Sequence, residues 1–134
     1  MFRRTLVAST LALAATAALL PAQAQTSEKP PLKIVVGFPP GGSADLLARL
    51  LAEGLKNDFS SVIVENKPGA GGRIALGHVK RAPADGQTVV LLPSGPMVLF
   101  PHVYKKLDYD AVADFTPIWV LFGSASVLFV SIFD

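Results

Sequence analysis

The chain has 134 residues, enough for one domain at most, and no cysteine, which excludes disulfide staples, thiolate metal ligands and thiol nucleophiles. Its 12 Lys and Arg against 10 Asp and Glu give a formal charge of +2. Arg3 and Arg4 account for that surplus, so the chain after residue 24 is balanced at 10 against 10 and shows none of the clustered cations that nucleic acid requires.

Arg3 and Arg4 precede 16 apolar, alanine-rich residues, Thr5 to Leu20, and then Pro21-Ala22-Gln23-Ala24. A positive start, a short apolar run and an A-x-A pattern predict a cleavable export signal over 1–24, of Sec rather than twin-arginine type. The run falls short of the ~20 residues that a spanning helix needs. Thr26 to Pro31 is a polar lead-in. Lys33 to Phe38 is short and β-branched, as a buried strand is. From Asp45 to about Lys56 the spacing predicts a helix, with the leucines at 46, 47, 50, 51 and 55 on its buried face. Ser61 to Glu65 reads as a second strand, Gly72 to Arg81 as a second helix, Pro83 to Gly86 as a turn, and Thr88 to Leu92 as a third strand.

After Pro93 the pattern loosens. Ser94-Gly95-Pro96 reads as a loop, and Met97 to Tyr104 as a short helical turn broken by Pro101. Leu107 to Phe115 is a polar connection in which Asp108, Asp110 and Asp114 are expected to be solvated, since they lack the glycine and terminal glutamate of a calcium loop. Ile118 to Phe133 is apolar but too short to span and is interrupted by Gly123-Ser124-Ala125-Ser126. Two buried strands, near 118–121 and 127–131, fit it, with Trp119 in the core. Alternating strands and helices predict an α/β domain: a parallel-type sheet with right-handed crossovers, flanked by helices.

In such a sheet the strand-to-helix loops gather at the carboxyl ends of the strands, where ligands bind. Three loops qualify, at 38–45, 66–72 and 93–97, and each holds glycine and proline. Glycine strips side chains from the amides that open a helix, and those amides have no partner within it. The expected result is a cup of N–H dipoles suited to carboxylate or phosphate, with Ser43 capping the first helix or turning its hydroxyl to a ligand. Asp45 favours the helix start but would repel an anion. It is read either as a cap that orients the loop or as an acceptor for a ligand hydroxyl or ammonium.

Other chemistries fit less well. FPPGGSAD lacks the lysine of a P-loop, and in Gly69-Ala70-Gly71-Gly72-Arg73-Ile74 an isoleucine occupies the third glycine position of a dinucleotide fingerprint. His78 and His102 have no second ligand at metal-binding spacing, and Ser43 and Ser94 lie outside G-x-S-x-G. Neither a catalytic residue nor a cofactor or metal is expected.

Three stretches in order, KIVVGFPPGGSADLLARLLAEGL, VIVENKPGAGGRIALGHVKRAPADGQTVVLLPSGP and FPHVYKKLDYDAVADFTPI, closely resemble the Bug family, over about residues 32 to 122. These are periplasmic solute receptors of tripartite tricarboxylate transporters. The resemblance implies the first lobe of a type II periplasmic-binding-protein (Venus-flytrap) fold, a hinged monomer that closes on di- or tricarboxylates or acidic amino acids. Such a receptor passes its ligand to membrane subunits and catalyses nothing. It also implies that Phe38, Pro39, Gly41, Gly42, Ser43 and Asp45 face the cleft, with Gly71, Gly72 and Arg73 from the second loop and Ser94 and Gly95 from the third. Arg73 stands where the family commonly has asparagine, and either contacts the ligand or points to solvent. The expected organisation is a leader at 1–24, an incomplete first lobe at 25–122, and at 123–134 the start of a crossing to a second lobe, which makes the chain a truncated fragment. A Rossmann-like nucleotide-binding enzyme and a non-functional remnant are the rival readings.

Overall fold

In the computed structural model, residues 29–121 and 126–131 are described; the expected leader and the link at 122–125 lie outside them, as does the side chain of Trp119. Five strands, β1 (Leu32–Val36), β2 (Val62–Asn66), β3 (Thr88–Leu92), β4 (Phe115–Leu121) and β5 (Ser126–Ser131), form one sheet in the order β2-β1-β3-β5-β4. The first three are parallel. β5 runs antiparallel to β3, and β4 antiparallel to β5, with a slip in register between Pro117 and Trp119. Helix α1 (Ser43–Leu55) links β1 to β2; a 3₁₀ turn (Ala70–Gly72) and α2 (Arg73–Lys80) link β2 to β3. Two four-residue helices follow, α3 (Gly95–Val98) and α4 (Phe100–Val103), divided at Leu99. Pro101 therefore stands in the first turn of α4 rather than breaking a helix, and Gly95-Pro96 is helical rather than loop.

The period of two along a strand builds a core on each face of the sheet. Ile34, Val36, Val89 and Leu91 pack with Ala44 and Ala48 of α1. Val35, Val90 and Leu92 pack on the other face with Ala75, Leu76 and Val79 of α2, together with Met97, Tyr109, Phe115 and Phe129. Each of the large apolar side chains in these clusters stabilises the fold by ~1.5–3 kcal/mol relative to leaving it in water. The central strands β1 and β3 are therefore covered on both faces, and their carboxyl-end loops are held by two helices from opposite sides.

Three further expectations change. The face of α1 that meets the sheet is made by the alanines, with Leu47, Leu51 and Leu55 half-buried beside them. Leu46 and Leu50 point away and are 61% and 62% exposed, because small residues let the helix lie close to the strands. Asp114 is buried rather than solvated: its Oδ2 lies 2.7 Å from Lys80 Nζ and accepts the Asp110 N–H at 2.7 Å. β4 begins at Phe115, earlier than the strand expected near 118–121. Phe115 is buried, Thr116 and Pro117 are exposed, and so is Ile118, the one residue of the expected span whose side chain is described.

Candidate functional site

The parallel order of β2, β1 and β3 brings the three following loops to one edge of the sheet, and glycine lets them touch. A Cβ on Gly37 would stand 3.0 Å from the Cα of Gly72, so the first and second loops meet backbone to backbone. Gly72 has φ of +95°, which favours glycine, and a Cβ there would lie 3.6 Å from Pro96 and 3.8 Å from the Phe38 ring. The three loops thus converge on Gly72. Next to this junction, Phe38, Pro39, Pro40, Gly42, Ser43, Ala44 and Pro93 line a hollow of about 430 Å³.

Helix α1 opens beside that hollow. Gly42 is its extended N-cap and accepts the Leu46 N–H through its carbonyl at 2.9 Å. The helix itself supplies no acceptor for the amides of Ser43, Ala44 and Asp45. Gly42 rather than Ser43 occupies the N-cap, so the capping role expected of Ser43 is not seen. Gly42 and Ser43 are exposed. Thirteen residues of aligned peptide dipoles stand behind these amides, so the mouth of α1 is positive.

Asp45 is placed under the loop, not in the hollow. Only 4% exposed, its carboxylate takes Arg49 Nε at 3.0 Å and the Gly41 N–H at 2.9 Å on Oδ2, and Asn66 Nδ2 at 3.0 Å on Oδ1. The bond from Arg49 first, then those from Gly41 and Asn66, hold its pKa down to about 2. Of its two readings, the loop-orienting cap is the one that this geometry fits; every short contact is already a donor from the protein. Gly41, with φ of +85°, gives its amide to this carboxylate and so has none to spare for a ligand.

The second loop is more self-contained. The Gly72 amide bonds the Gly69 carbonyl at 3.0 Å, and the Arg73 amide bonds the Ala70 carbonyl. Gly71 is exposed, with φ of +66°, and a Cβ there would strike the Phe100 ring at 3.0 Å. The Arg73 guanidinium lies 4.5 Å over the Tyr104 ring, and its Nε donates to the Ala70 carbonyl at 3.1 Å. It lines a separate groove with Gly77, Arg81 and Asp108, so it neither extends freely into solvent nor lines the hollow at α1. In the third loop, Ser94 is half-buried and its carbonyl accepts the amides of Met97 and Val98 at 3.0 and 2.9 Å; Gly95 begins α3.

A wider hollow of about 700 Å³ opens among α3, α4 and residues 104–112, but no residue of α1 or α2 lines it. His78 is half-buried, and burial first, then Lys67, lowers its pKa; His102 is exposed. Among the described residues no three His, Asp or Glu side chains assemble into a metal site. Asn66 and Gly37 were not singled out by the sequence reading. The one available signal was position: both stand where a strand gives way to a glycine-rich loop.

Residues 47–132 match the family described as Tripartite tricarboxylate transporter family receptor. The chain belongs to that family. Among related proteins, BugT of Bordetella pertussis is 35% identical to this receptor-family chain over 100 residues, 73% of this chain and 31% of BugT. Solved structures resemble it in both fold and sequence. The R. palustris protein Rpa4515, solved with adipate, superposes with a TM-score of 0.61 at 37% identity, covering 66% of this chain and 30% of that one. MatC from Rhodopseudomonas palustris, with bound malate, gives 0.60 at 33% identity, covering 74% and 32%. The chain therefore spans about a third of the length of these relatives. What the described geometry offers at this edge is a helix start whose first amides have no acceptor within the helix, beside a hollow walled by Phe38, Pro39 and Pro93.

Proposed function

We propose that the chain is the first lobe of a periplasmic receptor for small carboxylates, feeding the membrane subunits of a tripartite tricarboxylate transporter and doing no chemistry on its ligand. The observation that carries this reading is the open start of α1: Gly42, its glycine N-cap, with Ser43 and Ala44, lines a hollow walled by Phe38, Pro39 and Pro93. A carboxylate seated there gains charge-assisted bonds from N–H groups that the helix leaves unpaired. The Ser43 hydroxyl, the Gly71 amide and the Ser94–Gly95 backbone are the further contacts within reach of the converging loops. Adipate and malate, bound by the two structural neighbours, are both dicarboxylates and support this ligand class. The leader over 1–24 would deliver the chain to the periplasm, where it would act as a monomer.

The dinucleotide reading is disfavoured by the second loop. A pyrophosphate needs free amides at the glycine-rich turn, whereas those of Gly72 and Arg73 are bonded to Gly69 and Ala70. Calorimetric titration of this lobe, alone and joined to the second lobe of a relative, tests the proposal. Adipate, malate, citrate, glutamate and glucose form the ligand panel. The acids should bind and glucose should not; an equal response to glucose overturns it.

A further inference from the structure

The loop that presents these amides is closed by a residue outside it. Asn66 ends β2, in register with Val36 at the end of β1, and the next amide, of Lys67, bonds the Val36 carbonyl at 2.8 Å. Its side-chain Nδ2 donates at 3.1 Å to the Phe38 carbonyl, where the first loop leaves the sheet. The same nitrogen donates at 3.0 Å to Asp45 Oδ1, where the loop enters α1. Both partners are acceptors, and the two hydrogens of the Asn66 amide nitrogen serve both. One side chain thus spans the two ends of the loop that carries Gly41, Gly42 and Ser43.

We propose that Asn66 is the positioning residue of the carboxylate seat, fixing the distance between Phe38 and the start of α1 and so the direction of the Gly42, Ser43 and Ala44 amides. Alanine at this position leaves the Phe38 carbonyl and Asp45 Oδ1 without this donor. Glutamine carries the same group one methylene too far. Aspartate offers no donor when ionised and sets a second negative charge against Asp45, directly beneath the place an anion would occupy. The charged group that faces the pair is Arg49 of α1, bonded to Asp45; Glu65, beside Asn66 on β2, is engaged instead with Lys67 at 2.7 Å and Lys33 of β1 at 3.6 Å and acts on His78 of α2. The wild-type pH profile, recorded in parallel, carries every contribution other than that of residue 66.

The inference rests on the carboxylate-receptor reading for its binding readout, so the test has a second readout that needs no ligand. The full chain is ¹⁵N-labelled as wild type, Asn66→Ala and Asn66→Asp, and titrated with adipate between about pH 5 and pH 7, a window in which one carboxyl of a close pair changes charge. In Asn66→Ala the amide signals of Gly41 to Ala44 should move or broaden while those of Val89 to Leu92 stay in place, and adipate affinity should fall at least tenfold. In Asn66→Asp the affinity at pH 7 should fall further. It should recover at least fivefold toward pH 5, where the introduced carboxyl, once protonated, again donates to Asp45; the wild type should show no such recovery. If Asn66→Ala leaves the Gly41 to Ala44 signals unchanged, the assignment is overturned. It is equally overturned if the Val89 to Leu92 signals collapse in either variant, because Asn66 then supports the fold as a whole. If the wild type binds no adipate, the receptor reading fails, and the amide signals alone decide the role of Asn66.

Discussion

Gly37→Ala is the sharpest test of the way the loops lean on one another. Gly37 is buried, and a methyl group there would place a carbon 3.0 Å from the Cα of Gly72, whereas ordinary contacts fall at 3.4–4 Å. The obstacle is backbone, not the end of a flexible side chain, so the first and second loops must separate by several tenths of an ångström. Overpacking of this kind typically costs about 1–3 kcal/mol. In a domain of this size that lowers the melting temperature by roughly 4–8 °C per kcal/mol. Gly86→Ala is the matched control: its φ of +76° makes alanine strained, but a Cβ there meets nothing within 4 Å. That strain costs about 1–2 kcal/mol, far from the converging loops. Urea unfolding and adipate titration of both variants separate the effects. Both should lose stability, and Gly37→Ala alone should lose affinity, by at least fivefold. A Gly37→Ala variant as stable and as tightly binding as wild type would show that the loops do not rest on each other as described.

Acid should reveal Asp45. Its pKa is depressed from 3.8 to about 2, so the stability that it contributes is fully present above 3.8 and disappears as the pH falls through about 2. Asp45→Asn should therefore flatten the acid limb of the stability–pH curve over that interval, measured by urea unfolding at each pH, and should shift the Gly41 amide resonance. Tyr109→Phe removes the hydroxyl that donates to the Pro96 carbonyl inside the core, with an expected loss of about 1–3 kcal/mol in urea unfolding. Burial raises the pKa of that phenol above 10.0, so its contribution is complete below pH 10.0 and declines as the pH rises through the raised value; the variant should lose that alkaline decline. Arg73→Ala should cost about 0.5–1 kcal/mol of stability by ending the stacking on Tyr104. Carboxylate affinity in that variant should stay within about threefold of wild type, because the guanidinium lies outside the hollow at α1.

The periodic parts of the fold were legible in the sequence because a local pattern encodes them. β-branched runs ending in glycine and proline gave the three parallel strands, and the helices between them followed from apolar spacing. Leucine content misled at α1, where closeness to the sheet favours Ala44 and Ala48 and leaves Leu46 and Leu50 outside; packing distance is not a property of a sequence window. Asp114 looked like one of three similar acids, and only the fold brings Lys80 from α2 to it. At the site, the glycines announced exposed backbone. Which amides stay available was not readable, since this depends on partners 3 to 4 residues away for Gly72 and Gly41 and 21 residues away for Asp45. Asn66 was hidden for the same reason: its role lies in two bonds that close only after β1 and β2 pair.

The direct test is an amide-resolved titration of the ¹⁵N-labelled chain with adipate, and with glucose as the neutral comparison. If the start of α1 seats a carboxylate, the signals of Gly42, Ser43 and Ala44 move with adipate and saturate, with smaller changes at Gly71 and Gly95, and glucose moves none of them. Saturating changes confined to the Arg73–Arg81 groove or to the hollow at residues 97–112, with the start of α1 unmoved, would contradict it.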